Sequence, residues 1–167
     1  MYSSLLASYG KTLEDISKDN SENAVTTITD KAVDFDNYID TLYPNSSEKH
    51  SKPSSCDALY YSSNGNYFFI EFKNGDINYV NSKEDNIRKK ISESLLFLTE
   101  ISSSTIVNFK QNLTFILVYN SRNSKSMISS HITAKATINI DRYKYWLKAF
   151  IIQDAVDFDK DFVSKYR

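Results

Sequence analysis

The stretch Asp57-Ala-Leu-Tyr-Tyr-Ser-Ser-Asn-Gly-Asn-Tyr-Phe-Phe-Ile-Glu-Phe-Lys73 carries the clearest hairpin signal in this sequence of 167 residues. Two aromatic-rich runs, 57–62 and 66–73, flank the dipeptide Asn64-Gly65. This dipeptide tolerates the positive φ angles that a tight hairpin turn requires. The sequence therefore predicts two antiparallel strands that are joined at Asn64-Gly65.

Three charged residues interrupt this otherwise apolar hairpin. Glu71 and Lys73 are two positions apart in a strand, so both side chains project from the same face of the sheet. A two-residue turn would place Asp57 opposite Phe72, whereas a bulge or a longer loop would place Asp57 opposite Glu71. In either register the two carboxylates lie at the same end of the hairpin, within reach of one shared cation.

The apolar surroundings determine what these charges need. An unpaired charge is costly to bury, so Asp57, Glu71 and Lys73 require each other or a metal ion. Two carboxylates and a backbone carbonyl form a hard oxygen site that suits Mg²⁺ or Mn²⁺. Such an ion polarises a phosphoryl oxygen, and a nearby ammonium group offsets the developing negative charge. The simpler alternative is that Glu71 and Lys73 form a structural ion pair at a sheet edge.

Periodicity predicts the elements around the hairpin and an α/β fold. A helix is expected over 3–18, a second over 29–42 that Pro44 terminates, and a third over 83–101. The nearly apolar run 113–119 is typical of a buried central strand, and together with strand 66–73 and helix 83–101 it forms a βαβ unit with parallel strands. An edge strand over 149–152 and a short helix over 156–166 follow, while 121–137 has no clear pattern.

This order of motif and elements resembles the PD-(D/E)xK nuclease superfamily with its restriction-endonuclease-like core. Asp57 is followed by a spacer of thirteen residues and then by Glu71-Phe72-Lys73. The resemblance covers residues 1–120 and implies a mixed central sheet with the hairpin (57–73), a crossover helix (83–101) and a buried strand (113–119), flanked by N- and C-terminal helices. It also implies that Asp57 and Glu71 bind a divalent metal and that Lys73 assists phosphodiester hydrolysis.

The resemblance suggests further site residues and includes one departure. Cys56 stands where the family often has proline. Many members add an acidic metal ligand from the first helix, for which Glu14 is the nearest candidate, with Asp15 and Asp40 behind it. Many also carry a polar or basic residue on the following helix, where Arg88, Lys89 and Ser92 are alternatives. As nucleic-acid-binding residues we expect Lys89, Arg88 and Lys52, which belong to a local basic patch that also includes Lys83 and Lys90.

Composition limits the remaining possibilities. With 20 basic and 21 acidic residues the chain has no overall charge excess that would favour nucleic acid, and with three glycines it contains neither GxGxxG nor GxxxxGK[ST]. One cysteine excludes an internal disulfide framework. We expect one domain over 1–167, a cytoplasmic location, no membrane partner, and an AT-rich bacterial or phage genome. The rival to a nuclease is a non-catalytic module of the same fold that binds a protein partner, as an immunity, antitoxin or phage-defence component would.

Overall fold

The fold is a six-stranded mixed sheet with helices on both faces, seen in a computed structural model that describes residues 1–20, 22–44, 52–74, 84–120 and 140–167. The strands are β1 (Gly10–Thr12), β2 (Lys31–Asp34), β3 (Ala58–Tyr61), β4 (Tyr67–Asn74), β5 (Leu113–Asn120) and β6 (Ala149–Asp154). The α-helices are α1 (Tyr2–Tyr9), α2 (Leu13–Ile16), α3 (Phe35–Leu42), α4 (Glu84–Ser102), α5 (Ile106–Phe109) and α6 (Ala155–Asp161). A 3-10 helix (Ile140–Tyr145) precedes β6, and a π-helical turn (Phe162–Tyr166) follows α6.

The sheet follows the chain order from β1 to β6, with antiparallel pairing up to β4 and parallel pairing beyond it. Strands β4 and β5 are joined through α4 and pair from Tyr67↔Leu113 to Asn74↔Asn120. The predicted hairpin, crossover helix, parallel βαβ unit and edge strand β6 are therefore confirmed. Because β5 lies between two strands and under helices on both sides, its residues from Leu113 to Tyr119 are all buried, as the apolar run predicts.

Each face of the sheet has its own apolar core. The α4 face is covered by α1, α3 and α4 and includes Val33, Leu59, Phe69, Phe115, Leu117, Ile91, Leu95 and Leu98. The C-terminal face is covered by α6 and the π-helical turn and includes Phe68, Ile70, Phe72, Ile116, Val118, Phe158, Phe162 and Tyr166. Since side chains alternate along a strand, β4 contributes its odd-numbered residues to the α4 face and its even-numbered residues to the C-terminal face.

The prediction of a single helix over 3–18 is wrong, because α1 ends at Tyr9 and β1 intervenes before α2. A Cβ atom at Gly10 would lie 2.2 Å from the carbonyl oxygen of Leu6, so only glycine allows this close approach. Thr12 then starts α2: its Oγ1 accepts a hydrogen bond from the N–H of Asp15 at 3.1 Å. The prediction failed because the apolar residues on both sides of Gly10 have the spacing of one continuous helical stripe.

The predicted helix over 29–42 is wrong in its first part, where residues 31–34 form β2 between β1 and β3. Four residues are too few for periodicity to separate a strand from a helical turn. Asp34 ends the strand and caps α3, since its Oδ1 accepts from the N–H of Asn37 at 3.1 Å. Helix α3 ends at Leu42, shortly before Pro44, as predicted.

The remaining predictions concern the elements after the hairpin. The predicted helix over 83–101 matches α4, and the short C-terminal helix over 156–166 is present as α6 and the π-helical turn. Residues 121–137 lie outside the described residues. Among the residues that the structure describes, no helix combines the length and the apolar character that a membrane crossing needs.

Candidate functional site

The loop of the hairpin sets which residue faces Glu71. Strands β3 and β4 pair from Ala58↔Ile70 to Tyr61↔Tyr67, so residues 62–66 connect them. Gly65 within this connection has a φ of +77°, which glycine adopts without strain. This register places Asp57, the residue before Ala58, at the level of Glu71. The longer-loop alternative is therefore confirmed, and both carboxylates are on the α4 face.

Hydrogen bonds to three elements hold Asp57 in place. The backbone N–H of Phe72 donates to Asp57 Oδ2 at 2.7 Å, and the N–H of Phe35 donates to the Asp57 carbonyl at 3.0 Å. The preceding residue, Cys56, donates its N–H to Ser94 Oγ on α4 at 2.9 Å. Asp57 is thus positioned by β4, by the start of α3 and by α4.

Lys90 of α4 completes the arrangement. Its Nζ lies 2.8 Å from each carboxylate oxygen of Glu71 and 3.2 Å from Asp57 Oδ1. Lys73 Nζ bonds Glu71 Oε1 as well. We call Asp57, Glu71, Lys73 and Lys90 the Glu71 cluster. Both carboxylates therefore converge on one cationic nitrogen, and a second ammonium group lies beside them.

Burial increases from the rim of the Glu71 cluster to its centre. The side chains of Lys73 and Asp57 are 36% and 23% exposed, that of Lys90 is 17% exposed, and that of Glu71 is fully buried. Two carboxylates face two ammonium groups, so the cluster is formally neutral. A buried carboxylate is stable in its charged form only when cations neutralise it, and for Glu71 these cations are Lys73 and Lys90.

The environment shifts the protonation equilibria of the cluster. Burial raises the pKa of Asp57 to about 7, and the charge of Glu71 acts in the same direction. Burial alone would lower the pKa of Lys90, but the attraction of Asp57 and Glu71 outweighs it and raises that pKa above its ordinary value. Asp57 can therefore exchange a proton near neutral pH, whereas Lys90 stays charged.

Cys56 is excluded as a nucleophile, although it adjoins the cluster. Its side chain is fully buried. Burial raises the pKa of the Cys56 thiol well above its usual range, and the charge of Glu71 raises it further. Since the thiolate is the reactive form of cysteine, this residue is a packing element.

A cleft of about 270 Å³ connects the Glu71 cluster to solvent through Asp57. Its lining residues come from α2 and the segment after it, the end of β2, the start of α3, the position before β3, and the end of β4: Ile16, Ser17, Lys18, Asp19, Val25, Asp34, Asp36, Asp57, Phe72 and Asn74. The other three acids have partners: Asp34 pairs with Lys11 at 2.7 Å, Asp36 accepts from Ser55 Oγ at 2.5 Å, and Asp19 accepts from Asn74 Nδ2 at 2.6 Å.

The other residues predicted for the site lie around it. Glu14 is in α2, where its N–H donates to the Ile28 carbonyl at 2.9 Å, and it is not among the residues that line the cleft. Lys52 pairs with Asp36 and Asp40. Lys89 is exposed and lies 4.0 Å from Glu93, and Arg88 is half-buried on α4. The structure brings Asp57, Glu71 and Lys73 together, and the roles given to Glu14, Lys52, Arg88 and Lys89 stay predictions.

Sequence reasoning missed Lys90 as a site residue, although a signal for it exists. Lys90 lies three residues after Ile87 and four before Ser94, and both of these residues are buried. Residues at such spacing share a helix face, so Lys90 belongs to the stripe of α4 that faces the sheet. A lysine on a buried stripe needs an acidic partner, and Glu71 on the neighbouring strand is that partner.

The donor chemistry of the Glu71 cluster fits a divalent cation. Carboxylate oxygens of Asp57 and Glu71 converge on one position, and oxygen is the ligand type that Mg²⁺ and Mn²⁺ prefer. No group of three or more His, Cys, Asp or Glu side chains arranged for a metal occurs among the described residues. A metal here would therefore be held by two carboxylates and would complete its shell with carbonyl, water or substrate oxygens.

The chain matches no protein-family model, no curated protein and no solved structure with which it was compared. Similarity to known proteins therefore assigns no role to the residues of the Glu71 cluster. Their chemistry has to be inferred from their own positions, burial and charges.

Proposed function

We propose that this protein is a metal-dependent nuclease that hydrolyses phosphodiester bonds of DNA or RNA with a PD-(D/E)xK-type site. The observation that carries the proposal is the convergence of the Asp57 and Glu71 carboxylates on one cation position, with Lys73 beside them. These three residues are the ones that the resemblance implies, and one of them, Asp57, lines a cleft that opens to solvent.

The order of the elements supports the same proposal. An N-terminal helix, a hairpin with the acidic pair at one end, a crossover helix and a central parallel strand follow one another along the chain. We propose that this arrangement is a restriction-endonuclease-like core, to which β1 adds a further edge strand. The α/β class and the mixed sheet do not depend on this proposal.

Each residue of the site has a chemical role in the proposed reaction. Asp57 Oδ1 and the carboxylate of Glu71 would hold Mg²⁺ or Mn²⁺. Such an ion, when bound, supplies Lewis acidity toward a phosphoryl oxygen and lowers the pKa of a bound water. The Lys73 ammonium, which is the more exposed of the two lysines, offsets the negative charge that develops on the phosphate and positions the attacking water. The N–H of Phe72 keeps Asp57 in its orientation.

The experiment is a cleavage assay on supercoiled plasmid, single-stranded DNA and RNA with Mg²⁺ or Mn²⁺. Asp57→Asn and Lys73→Met keep the approximate volume of each side chain while they remove its charge. We expect each variant to lose at least about 100-fold in rate, because each change removes a charge that acts at the reacting phosphate. Lys165→Met, on the exposed face of the C-terminal turn, is the control and should cleave like the wild type. Equal rates for all four proteins would refute the proposal.

One observation favours a second candidate, a non-catalytic module that binds a protein partner. Asp19, Asp34 and Asp36 line the cleft together with Asp57, and the one basic side chain among the described lining residues is Lys18, so acidic groups predominate there. Acidic walls repel a phosphate backbone and attract a basic side chain. A basic protein partner, as for an immunity, antitoxin or phage-defence component, fits such a cleft. Recovery of a stoichiometric protein partner from the native host, together with no metal binding by calorimetry, would favour this candidate.

A further inference from the structure

Lys90 fills the position that a shared metal ion would take. Its Nζ contacts both oxygens of Glu71 at 2.8 Å and Asp57 Oδ1 at 3.2 Å, so it bridges the two carboxylates. Lys73, in contrast, bonds only Glu71 Oε1 and has no hydrogen bond to Asp57 among the described contacts. The two lysines of the Glu71 cluster therefore differ in kind: one bridges the acidic pair and the other flanks it.

A divalent ion and the Lys90 ammonium cannot occupy the bridge together. Mg²⁺ binds carboxylate oxygens at about 2.0–2.1 Å, inside the space that Lys90 Nζ takes between the same oxygens. Two cations that close in a poorly solvated site repel strongly. Entry of a metal therefore requires that the ammonium group leave the bridge.

The side chain of Lys90 is flexible enough for its ammonium group to leave the bridge. Lysine has a flexible four-carbon stem with a compact charged head, and the Lys90 side chain is 17% exposed, so part of it already reaches solvent. Withdrawal of the head can occur by rotation within the side chain while α4 stays in place through Ile87, Ile91 and Leu95.

We propose that Lys90 is an internal competitor for the metal: its ammonium group neutralises Asp57 and Glu71 until a divalent ion displaces it. This inference rests on the proposed function, because it assumes that the acidic pair is a metal site. Exchange also changes the charge of the site. The cluster is formally neutral with Lys90 in the bridge, and it becomes positive when a divalent ion joins Lys73 and the two carboxylates. A phosphodiester is therefore attracted only after the metal has entered.

The first test is calorimetric titration of Mn²⁺ into the wild type, Lys90→Met, Lys73→Met and Asp57→Asn/Lys90→Met. We expect Lys90→Met to bind Mn²⁺ at least about tenfold more tightly than the wild type, because no tethered cation has to be displaced. Lys73→Met should change the affinity by a smaller factor, and the double variant should lose the gain. Equal or weaker binding by Lys90→Met, or binding by neither protein, would overturn the proposal.

A second measurement uses the unaltered chain and does not depend on the folding of a variant. An amine-reactive reagent labels an accessible lysine, and mass spectrometry reports the rate at each site. We expect saturating Mn²⁺ to increase labelling of Lys90 several-fold and to leave Lys165 unchanged. Labelling of Lys90 that is unchanged or slower with Mn²⁺ would overturn the proposal.

These outcomes separate the inference from the proposed function. Tighter Mn²⁺ binding by Lys90→Met without any cleavage of nucleic acid would support the competitor role and refute the nuclease. Cleavage by the wild type with equal Mn²⁺ affinity in both proteins would support the nuclease and refute the competitor role.

Discussion

The two faces of the central sheet are stabilised in different ways, and strand β4 displays both. On the C-terminal face, Phe68 and Phe72 pack against aromatic rings, with centroids 5.4 Å from Tyr166 and 6.2 Å from Phe158. On the α4 face, Glu71 and Lys73 take positions that could hold apolar side chains. Apolar burial stabilises a core directly, whereas a buried ion pair often does no better than a hydrophobic pair of the same volume. The charges on the α4 face are therefore the feature of the sheet on which the proposed function depends.

The largest stability effect should come from the C-terminal face. Phe158 is fully buried between the sheet and the π-helical turn. We expect Phe158→Ala to lower the free energy of unfolding by about 4 kcal/mol, because it removes a large buried ring and leaves a cavity. Urea unfolding measures the change. The Mn²⁺ affinity of the folded variant should equal that of the wild type, and an altered affinity would show that the two faces are not independent.

The next effect concerns the ion pairs of the α4 face. Without metal, Lys90→Met should cost about 3 kcal/mol, since it removes the bridging partner of a buried carboxylate. Glu71→Leu/Lys90→Met should recover most of this loss, because an apolar pair replaces the ion pair in a buried position. Urea unfolding of both variants tests the comparison. A double variant as unstable as the single one would mean that the charges are needed for the fold itself.

A third effect is the pH dependence that Asp57 produces. Its pKa of about 7 in the folded protein exceeds the ordinary value of 3.8, so between these values the folded state keeps a proton that the unfolded state has lost. The contribution of Asp57 to the free energy of unfolding therefore falls as pH rises from about 4 to about 7. Asp57→Asn imitates the protonated form. Without metal, we expect it to match the wild type near pH 4 and to exceed it by on the order of a few kcal/mol at pH 8.

Urea titrations at several pH values measure this difference, and charges outside the Glu71 cluster contribute equally to both proteins. A gap between Asp57→Asn and the wild type that does not vary with pH would contradict the shifted pKa of Asp57. A stability difference between the two proteins that increases as the pH is lowered would mean that the pKa of Asp57 is shifted in the opposite direction.

The smallest effect is expected at an exposed ion pair. Lys165 Nζ lies 2.7 Å from Asp161, and its side chain is 58% exposed. Because water and salt screen such a pair, Lys165→Ala should leave the thermal midpoint within measurement error. A loss that approaches that of Lys90→Met would mean that burial is not what distinguishes the Glu71 cluster from surface pairs.

Sequence reasoning succeeded where a pattern was long and local. The hairpin, α4 and β5 each extend over enough residues for their periodicity to be read, and the proximity of Asp57, Glu71 and Lys73 follows from their positions in that hairpin. It failed at the short elements β1 and β2, where pairing with distant strands decides the structure. The pairing of residues 10–12 with residues 31–33, and of β2 with β3, is a tertiary effect that no local window contains.

The contact of Lys90 with both carboxylates could not be predicted from local sequence patterns either, for a different reason. Its position on the inner stripe of α4 could be read, but its contact with both carboxylates depends on how α4 crosses the sheet. Glu71 and Lys90 are nineteen residues apart and meet only in the folded chain. Sequence therefore predicted the acidic pair, and the structure added the cation that bridges it.

In our proposal Asp57 and Glu71 form a shared cation position that a divalent metal can take. The most direct test is the anomalous difference density of crystals equilibrated with Mn²⁺. We expect one strong peak at carboxylate-ligand distance, about 2.0–2.2 Å, from both Asp57 and Glu71, with Lys90 Nζ withdrawn from the bridge. Saturating Mn²⁺ with no peak between these carboxylates, and with Lys90 still bonded to both, would contradict it.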